Sequence, residues 1–434
     1  MTASLAAAVL LKGGVYPQQW VWSALGLSVA AFLALSSGAT LRLGDKWGLG
    51  VMAFLLAWMA LQLAPLPPAL IERLTPERWH EVAFARAATG QDPGAWVTLS
   101  VAPSATFGRL LDVVPAMAAL LTTREMTRWW RDRIWIVVAP VVGVAFFESL
   151  LGLAQFHFVR AIGGAAASAT GTYVNRNHFA GLLEMVFPVA VALAISAWRK
   201  GAILWMALLL AISACLLAGV VVSQSRMGFI ATLAGAGFTM LILPLSRDES
   251  DRCPAFRWSR AWRWAVPLAV PLAILVLLPT QELTQRFADT DSAQEVSKVD
   301  RLKIWRDTLQ VIEAYKWTGC GLGAFEHGMF RYQSADPMNT VDFAHNDFLQ
   351  VVAELGIPGS LLVAVLAGWI AARVLAVVLW RRSVRNWEIA VGLSASYVTL
   401  GVHSLADFNL YIPANALIFA WLSGVAVSPG LRRS

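Results

Sequence analysis

Residues 202–222 read AILWMALLLAISACLLAGVVV, a stretch without a charged side chain. A helix rises about 1.5 Å per residue and needs about 20 apolar residues to cross the hydrocarbon core of a bilayer. The stretch is therefore predicted to form a membrane-spanning helix. Apolar runs of roughly this length recur along the 434-residue chain, and they lack the alternating pattern of barrel strands.

The composition of the whole chain is that of a membrane protein. Hydrophobic residues make up 58% of the chain and charged residues 14%, with a mean hydropathy of +0.61. Soluble domains contain more charge and fewer apolar residues. Three scattered cysteines, Cys215, Cys253 and Cys320, form no CxxC pair, so the sequence predicts neither a disulfide framework nor a zinc site.

The apolar runs predict an all-α, polytopic bundle of about 11 to 12 transmembrane helices. Besides 202–222, the predicted spans are 19–37, 48–64, 106–121, 134–155, 178–197, 227–245, 264–280, 358–380, 388–406 and 412–428. Residues 1–15 are too short to span, are interrupted by Lys12 and lack a small-residue cleavage site. Their placement stays open.

Basic residues lie in every second connection between the predicted spans. Lys and Arg mark cytoplasmic loops, so these connections are predicted to share the cytoplasmic face. This accounts for the net charge of +7 and the pI near 9.6 without nucleic acid. The residues are Arg124, Arg128, Arg131 and Arg133; Arg199 and Lys200; Arg247, Arg252, Arg257, Arg260 and Arg263; Arg381, Arg382 and Arg385; and Arg432 and Arg433.

The chain is predicted to be one membrane domain over residues 1–434, with two large loops on the opposite, extracytoplasmic face. The first loop, 65–105, is rich in proline and contains an amphipathic piece around Glu77 to Ala88, which predicts a short interfacial helix. The second loop, 281–357, is long enough to be functional and has helical periodicity on both sides of the turn Gly319-Cys320-Gly321-Leu322-Gly323.

A polar cluster, Gly171-Thr172-Tyr173-Val174-Asn175-Arg176-Asn177-His178, precedes the span 178–197. One interpretation is a helix cap by Asn175 or Asn177 with an interfacial aromatic. The alternative is a binding site, because Arg176 and His178 exceed what a cap requires. Glu184 lies within the same span and needs a partner or a proton, since ionisable groups in a membrane are functional candidates.

Arg226 follows Ser223-Gln224-Ser225 between two apolar runs. An arginine at the end of a span can reach the phosphates of ordinary lipids. Alternatively, its guanidinium binds the diphosphate of a lipid-linked substrate, a two-oxygen contact that lysine cannot reproduce.

The segment from Arg301 to Ala314 is predicted to be a helix, with an apolar stripe of Leu302, Trp305, Leu309 and Ile312. Arg306 falls about 40° from Leu302 on this helix, so it is expected to point inward and to need an anion. A structural ion pair with Glu313 is the alternative. Arg301 lies at the other edge of the stripe.

His345 comes before Asn346 and Asp347, either of which can cap the following helix. The positive end of a helix disfavours the imidazolium and keeps the ring neutral, as a general base requires. A metal site with Asp342 and Asp347 has no recognised spacing, so no metal and no cofactor are predicted. Three residues near the end of a late span are expected to complete the cavity: His403, Asp407 and Asn409.

These motifs together resemble the superfamily of bacterial O-antigen ligases and Wzy-type polysaccharide polymerases over roughly residues 165–410. The resemblance rests on the 171–178 cluster, Ser223 to Arg226, Arg301 to Asp307 with the glycine turn, and His345-Asn346 with Glu354 and Gly356 downstream. It implies a bacterial inner-membrane glycosyltransferase with a GT-C-like helical core and a periplasmic site in the large loop.

The resemblance also implies a donor, an undecaprenyl-diphosphate-linked glycan, and a glycan or lipid-linked acceptor. Flippase and chain-length regulator proteins are implied as partners, in addition to membrane lipids. His345 would take the acceptor proton, and Arg226 and Arg306 would hold the diphosphate, with inversion at the anomeric carbon. Further substrate contacts are expected from Arg301, Arg176, Asn175, His178, Asn346 and Tyr173.

Three functions stay open from the sequence. The favoured one is a polymerase that joins repeat units into exopolysaccharide or O-antigen, because the 171–178 cluster offers a second polar subsite. The second is a ligase that transfers the glycan to lipid A core. The third is a lipid or polysaccharide transporter, suggested by the intramembrane residues Glu148 and Glu184, although the chain has no repeat symmetry.

Overall fold

The computed structural model describes residues 1–36, 43–162, 168–243, 293–334, 340–380 and 386–432. Across these ranges the all-α prediction is confirmed. Five described helices are long and apolar enough to cross a membrane, and three shorter apolar helices accompany them. The predicted span 264–280 lies outside the described residues, as do the basic groups at 247–263 and 381–385.

The described helices are numbered in chain order. They are α1 Thr2–Leu10, α2 Pro17–Ser36, α3 Leu43–Leu61, α4 Pro68–Leu74, α5 Pro76–Thr89, α6 Pro103–Trp129, α7 Trp135–Ala161, α8 Arg176–Arg199, α9 Ile203–Ser223, α10 Arg226–Ile242, α11 Ala293–Ala314, α12 Phe325–Met329, α13 Asp347–Trp380, α14 Trp387–His403 and α15 Pro413–Val427. Two short strands, β1 Pro65–Leu66 and β2 Val97–Thr98, pair antiparallel with Pro65 opposite Thr98.

Helix α8 is the centre of the bundle. Every residue from His178 to Ser196 is buried, as expected for a helix that is apolar on all sides. Helices α9, α10 and α14 pack around it. Small residues allow the close approach: a Cβ at Gly392 of α14 would lie 2.7 Å from the Ala192 Cβ of α8.

The N-terminal residues, whose placement the sequence left open, form part of the bundle. Helix α1 packs against α2, α7 and α15. Leu5, Ala8 and Val9 are fully buried there. The segment is therefore a short helix that packs one face into the bundle.

The two long loops pack against each other, so they lie on one side of the bundle. The Tyr315 hydroxyl donates to Glu81 Oε1 at 2.9 Å, and Arg331 pairs with Glu77 at 3.0 Å. The predicted helix around Glu77 to Ala88 is present as α5, with no buried residue.

The glycine turn holds a kink in α13. Helix α13 is interrupted at Gly356, which has φ 65°. Gly319 has φ 69°, and a Cβ there would lie 2.1 Å from the Glu354 carbonyl oxygen. The Cys320 and Gly321 amides donate to the carbonyls of Ala353 and Glu354 at 2.9 and 3.1 Å, and so satisfy groups that the kink leaves without helical partners.

One part of the loop assignment is wrong. Arg124 and Arg128 were placed in a connection, but both lie in the last turns of α6. Arg124 is buried and pairs with the neighbouring Glu125, which also forms an ion pair with Arg128 at 2.8 Å. Their charges are neutralised inside the protein, so only Arg131 and Arg133 stand in the connection itself.

Candidate active site

His345 occupies a strained backbone position directly before α13. Its φ is 48°, in the left-handed region that non-glycine residues rarely adopt. Asn346 caps the helix, since its Oδ1 accepts from the Leu349 amide at 3.0 Å, and its Nδ2 donates to the Leu405 carbonyl at 3.0 Å. Strain of this kind concentrates at functional sites.

Asp407 gathers three imidazoles around one buried carboxylate. His345 Nδ1 lies 4.0 Å from its Oδ1, His178 Nε2 lies 3.7 Å from the same oxygen, and His403 Nε2 lies 3.6 Å from Oδ2. Asp407 is 1% exposed on its side chain. Burial alone would raise the pKa of Asp407, but its contacts with His178 and His403 hold that pKa well below its ordinary range.

The imidazole of His345 is kept neutral. Burial lowers the pKa of His345 from its ordinary 6.5, Asp407 opposes this, and the positive charge of Arg301 lowers it further. The side chain is 36% exposed, so a substrate can reach it. A neutral ring with Nδ1 directed at a carboxylate favours the proton on Nδ1 and leaves Nε2 able to accept one.

The N-termini of α8 and α13 approach Asp407, and the first turn of α10 packs against α8 close to His178. Asp407 joins His178, near the start of α8, to His345, just before α13. Gly228 in the first turn of α10 packs on α8, where a Cβ would lie 2.7 Å from the Ala180 Cβ. Arg226 is the first residue of α10 and is half-buried. Helix N-termini favour anions, so the arrangement suits phosphate.

Helix α11 is fixed beside His345, but it is turned differently from the prediction. The Trp305 Nε1 donates to the Ala344 carbonyl at 3.0 Å. Arg306 is exposed, as are Leu302 and Leu309, so the expectation that Arg306 points into the core is wrong. The face that is buried consists of Ile304, Asp307, Thr308 and Val311.

The structure also decides the alternative prediction for this helix, an ion pair between Arg306 and Glu313. Glu313 pairs with Lys316 at 2.8 Å, one turn further along the chain, rather than with Arg306. Arg301 is half-buried and close enough to His345 to affect its pKa. Asp307 accepts from the Ser334 amide and hydroxyl at 2.7 Å each, which ties the loop after α12 to the helix.

The helix cap predicted in the 171–178 cluster is confirmed, and the binding role stays a prediction. Asn175 caps α8 by accepting from the Asn177 amide at 2.8 Å. His178 reaches Asp407, and Arg176 is half-buried at the start of the helix. Tyr173 is buried and donates from its hydroxyl to Asn415 Oδ1 at 2.9 Å, so contact with a substrate would require this bond to break.

The two intramembrane carboxylates that suggested a transporter have local partners. Glu184 Oε1 lies 2.7 Å from His403 Nδ1, and both side chains are fully buried. Glu148 accepts from the Thr172 amide at 2.9 Å and from its hydroxyl at 2.6 Å. One carboxylate supports the histidines around Asp407, and the other fixes the turn before α8.

A cavity of about 760 Å³ opens next to His178. Its apolar wall comes from α2 and α6, with residues such as Trp20, Leu25 and Leu111, and its polar end contains Asn175, His178, Arg109 and Asp112. Sequence reasoning missed Arg109, which lies inside the predicted span 106–121. Its pairing with Asp112 at 3.1 Å at spacing i, i+3 was the available signal.

Within the described ranges, no group of three or more His, Cys, Asp or Glu side chains has the geometry to hold a metal ion.

Residues 211–364 match the family model described as O-antigen ligase. This match covers 154 of the 434 residues and supports the O-antigen ligase superfamily for the chain. The matched residues run from α9 into α13 and include Arg226, Arg301, Arg306 and His345. The match supports a multi-pass membrane glycosyltransferase of the ligase and polymerase kind. The cluster 171–178 and Asp407 lie outside the match. A search of curated proteins found none that matches the chain.

Proposed function

We propose that this protein transfers a glycan from a polyprenyl diphosphate to an acceptor hydroxyl, with His345 as the general base. The observation that carries the proposal is the neutral, accessible imidazole of His345 beside the buried carboxylate of Asp407. Placed there, Nε2 accepts the hydroxyl proton while the oxygen attacks the anomeric carbon. Asp407 orients the ring and stabilises the imidazolium that forms.

The departing diphosphate needs cationic partners rather than a proton. As the bond between the anomeric carbon and the phosphate oxygen breaks, negative charge collects on that oxygen, and fixed positive groups stabilise it. The N-termini of α8, α10 and α13 supply part of this field. Arg226 supplies a guanidinium, assisted by Arg301, Arg306 and Arg176. Direct attack inverts the anomeric configuration.

The cavity next to His178 suits the lipid of the donor. Its walls on α2 and α6 are apolar, as an isoprenoid chain requires, and its polar end contains Asn175 and His178 beside the histidines of Asp407. A donor with its tail in this cavity would present the diphosphate to the three helix N-termini. We place the site on the periplasmic face of the inner membrane, because both long loops lie there by the distribution of basic residues.

Among the acceptors, we favour a second lipid-linked repeat unit, which makes the protein a polymerase. The polar residues of the 171–178 cluster at the cavity provide a subsite beyond the diphosphate. The alternative acceptor is lipid A core.

The deciding experiment is to incubate the purified protein with undecaprenyl-diphosphate repeat unit alone. A ladder of lengthened products supports the polymerase. If products form only after lipid A core is added, the protein is a ligase. If neither acceptor yields product in a preparation that is folded and inserted, glycan transfer itself is wrong.

A further inference from the structure

A second cleft of about 520 Å³ lies where the two long loops meet. One wall comes from the start of α5 with Glu77, and the other from the end of α11 and the residues after it, with Gln310, Glu313 and Trp317. Arg331 and Tyr332, which follow α12, close the end. None of these residues takes part in the site around His345.

The walls of the cleft are held by contacts between the loops. Arg331 of the loop 281–357 pairs with Glu77 of the loop 65–105 at 3.0 Å, whereas Lys316 pairs with Glu313 at 2.8 Å within its own loop. Behind the cleft, the Tyr315 hydroxyl donates to Glu81 at 2.9 Å. Because these contacts join separate parts of the chain, the cleft is preformed, as ligand sites usually are.

The side chains in the cleft have the chemistry to bind a sugar. The indole of Trp317 is 56% exposed and the ring of Tyr332 is partly exposed, so both offer flat apolar faces. Carboxylate and amide groups beside them accept and donate hydrogen bonds to hydroxyls. A sugar ring needs both, since its CH groups cover an aromatic face and its hydroxyls bind at the edge.

The charges of the cleft favour a glycan as its ligand rather than the headgroups of a bilayer. Two carboxylates, Glu77 and Glu313, are matched by two cations, Arg331 and Lys316, with which they are paired. A neutral cleft gives no attraction to anionic lipid headgroups, which are bound by clusters of basic residues.

Helix α11 borders both the cleft and the proposed catalytic site. Helix α11 carries Arg306 beside the site and Glu313 at the cleft, seven residues apart, or about 10 Å along the helix. A glycan whose reducing end is held at the diphosphate would run along α11 and reach the cleft with sugars further from the bond that reacts.

We propose that this cleft, formed by Glu77, Gln310, Glu313, Trp317, Arg331 and Tyr332, binds the glycan several sugars away from the reacting end. The proposal rests on the glycan transfer proposed above and extends it to a subsite. It assigns to the loop 65–105 a role in holding the substrate chain.

The test is the binding of oligosaccharides to the full-length protein in lipid nanodiscs. The probe is a pool of lipid-free oligosaccharides, obtained by mild acid cleavage of the surface polysaccharide of the source cells. We expect Trp317→Ala to weaken binding about tenfold, the effect of losing one aromatic contact, and Trp317→Phe to retain most of it. Trp96→Ala is the matched control, since Trp96 is 63% exposed on the other long loop, 65–105, and does not line the cleft.

The failures of the two proposals can be told apart. His345→Ala is expected to lose transfer and keep oligosaccharide binding. If the Trp317→Ala variant binds the oligosaccharides as tightly as the wild type, the cleft is not a glycan subsite, whatever the transfer assay gives. If Trp317→Ala keeps oligosaccharide binding but inserts poorly into bilayers, Trp317 is a membrane anchor and the glycan subsite is wrong. If oligosaccharide binding depends on Trp317 but the wild-type protein transfers glycan to no acceptor, the cleft remains a glycan site and the proposed transferase activity is wrong.

Discussion

At the scale of single residues, the site depends on the environment of Asp407. This carboxylate is buried, and it stays ionised because its contacts with His178 and His403 offset the cost of burial. Behind them, Glu184 holds His403 at 2.7 Å, so the orientation of the carboxylate is set from the interior of α8. Residues outside the matched segment thus form part of the surroundings of His345.

The pH dependence of transfer tests this arrangement. His345 acts as a base only when neutral, and burial lowers its pKa below 6.5, so kcat/KM should rise with pH to a plateau already reached near neutrality. In Asp407→Asn, loss of the negative charge removes a contribution that raises the pKa of His345. The rising limb should move to lower pH and the plateau should fall about 10²-fold.

The measurement is kcat/KM against pH for both proteins with the same donor. A limb that stays in place or moves to higher pH in Asp407→Asn would show that His345 is not the titrating base. Asp342→Asn is the control, because Asp342 is exposed and contributes least to the pKa of His345 among the causes identified.

Local pattern was enough to predict part of the site. The capping sequence identified His345 and Asn346, since a cap depends on residues within one turn. Short-range patterns could not predict that His345 lies beside Asp407, because the start of α13 and the end of α14 are brought together only by packing. The direction of Arg306 was predicted wrongly, since the buried face of α11 contains Asp307 and Thr308, which an apolar stripe does not count.

At the scale of elements, the glycine turn fixes the start of the α13 span. The turn donates its amides to the carbonyls exposed at the kink, and Gly319 is in contact with the Glu354 backbone. Glu354 in turn accepts from the Tyr411 hydroxyl at 2.8 Å and from Gln350 at 2.9 Å. The turn thereby connects the large loop to the core of the bundle.

Replacing Gly319 with alanine should destabilise the protein strongly. The φ of 69° costs a non-glycine residue about 1 to 2 kcal/mol, and the clash with the Glu354 carbonyl adds to it, for a total of about 3 kcal/mol. Gly90→Ala is a matched control: Gly90 also has φ 69°, but no atom lies within 4 Å of the added Cβ. Thermal unfolding in detergent should show a clearly larger loss for Gly319→Ala. Equal decreases in unfolding temperature for the two variants would mean that the turn does not stabilise the kink.

Most element boundaries followed from apolar length, because a bilayer sets the length of a span. The exceptions have physical reasons. Helix α13 begins at Asp347 rather than near 358, because the turn supports it across Gly356. Helix α6 continues to Trp129, because the charges of Arg124 and Arg128 are paired with Glu125.

At the scale of the whole molecule, the account requires both long loops on the outside. Their mutual contacts place them together, and the basic connections are expected to lie opposite. The sequence predicts this alternation, because topology follows charge in short loops. It could not predict that α8 lies at the centre or that α1 is buried, because side-chain packing decides which helices are neighbours.

Labelling of single cysteines tests the orientation. In a background with the native cysteines replaced, the Gln91→Cys variant, in the exposed loop after α5, should react with a membrane-impermeant maleimide in intact spheroplasts. The Asp132→Cys variant, in the connection between α6 and α7, should react only after permeabilisation. The opposite pattern would put His345 on the cytoplasmic face and remove access to a periplasmic donor.

The most direct test of the central claim is the transfer rate of His345→Ala with a polyprenyl-diphosphate glycan donor. The control is His80→Ala, an exposed histidine of α5 away from the site. The account predicts a loss of about 10²-fold or more for His345→Ala, with unfolding temperature unchanged, and wild-type activity for His80→Ala. Transfer by His345→Ala at the wild-type rate would contradict it.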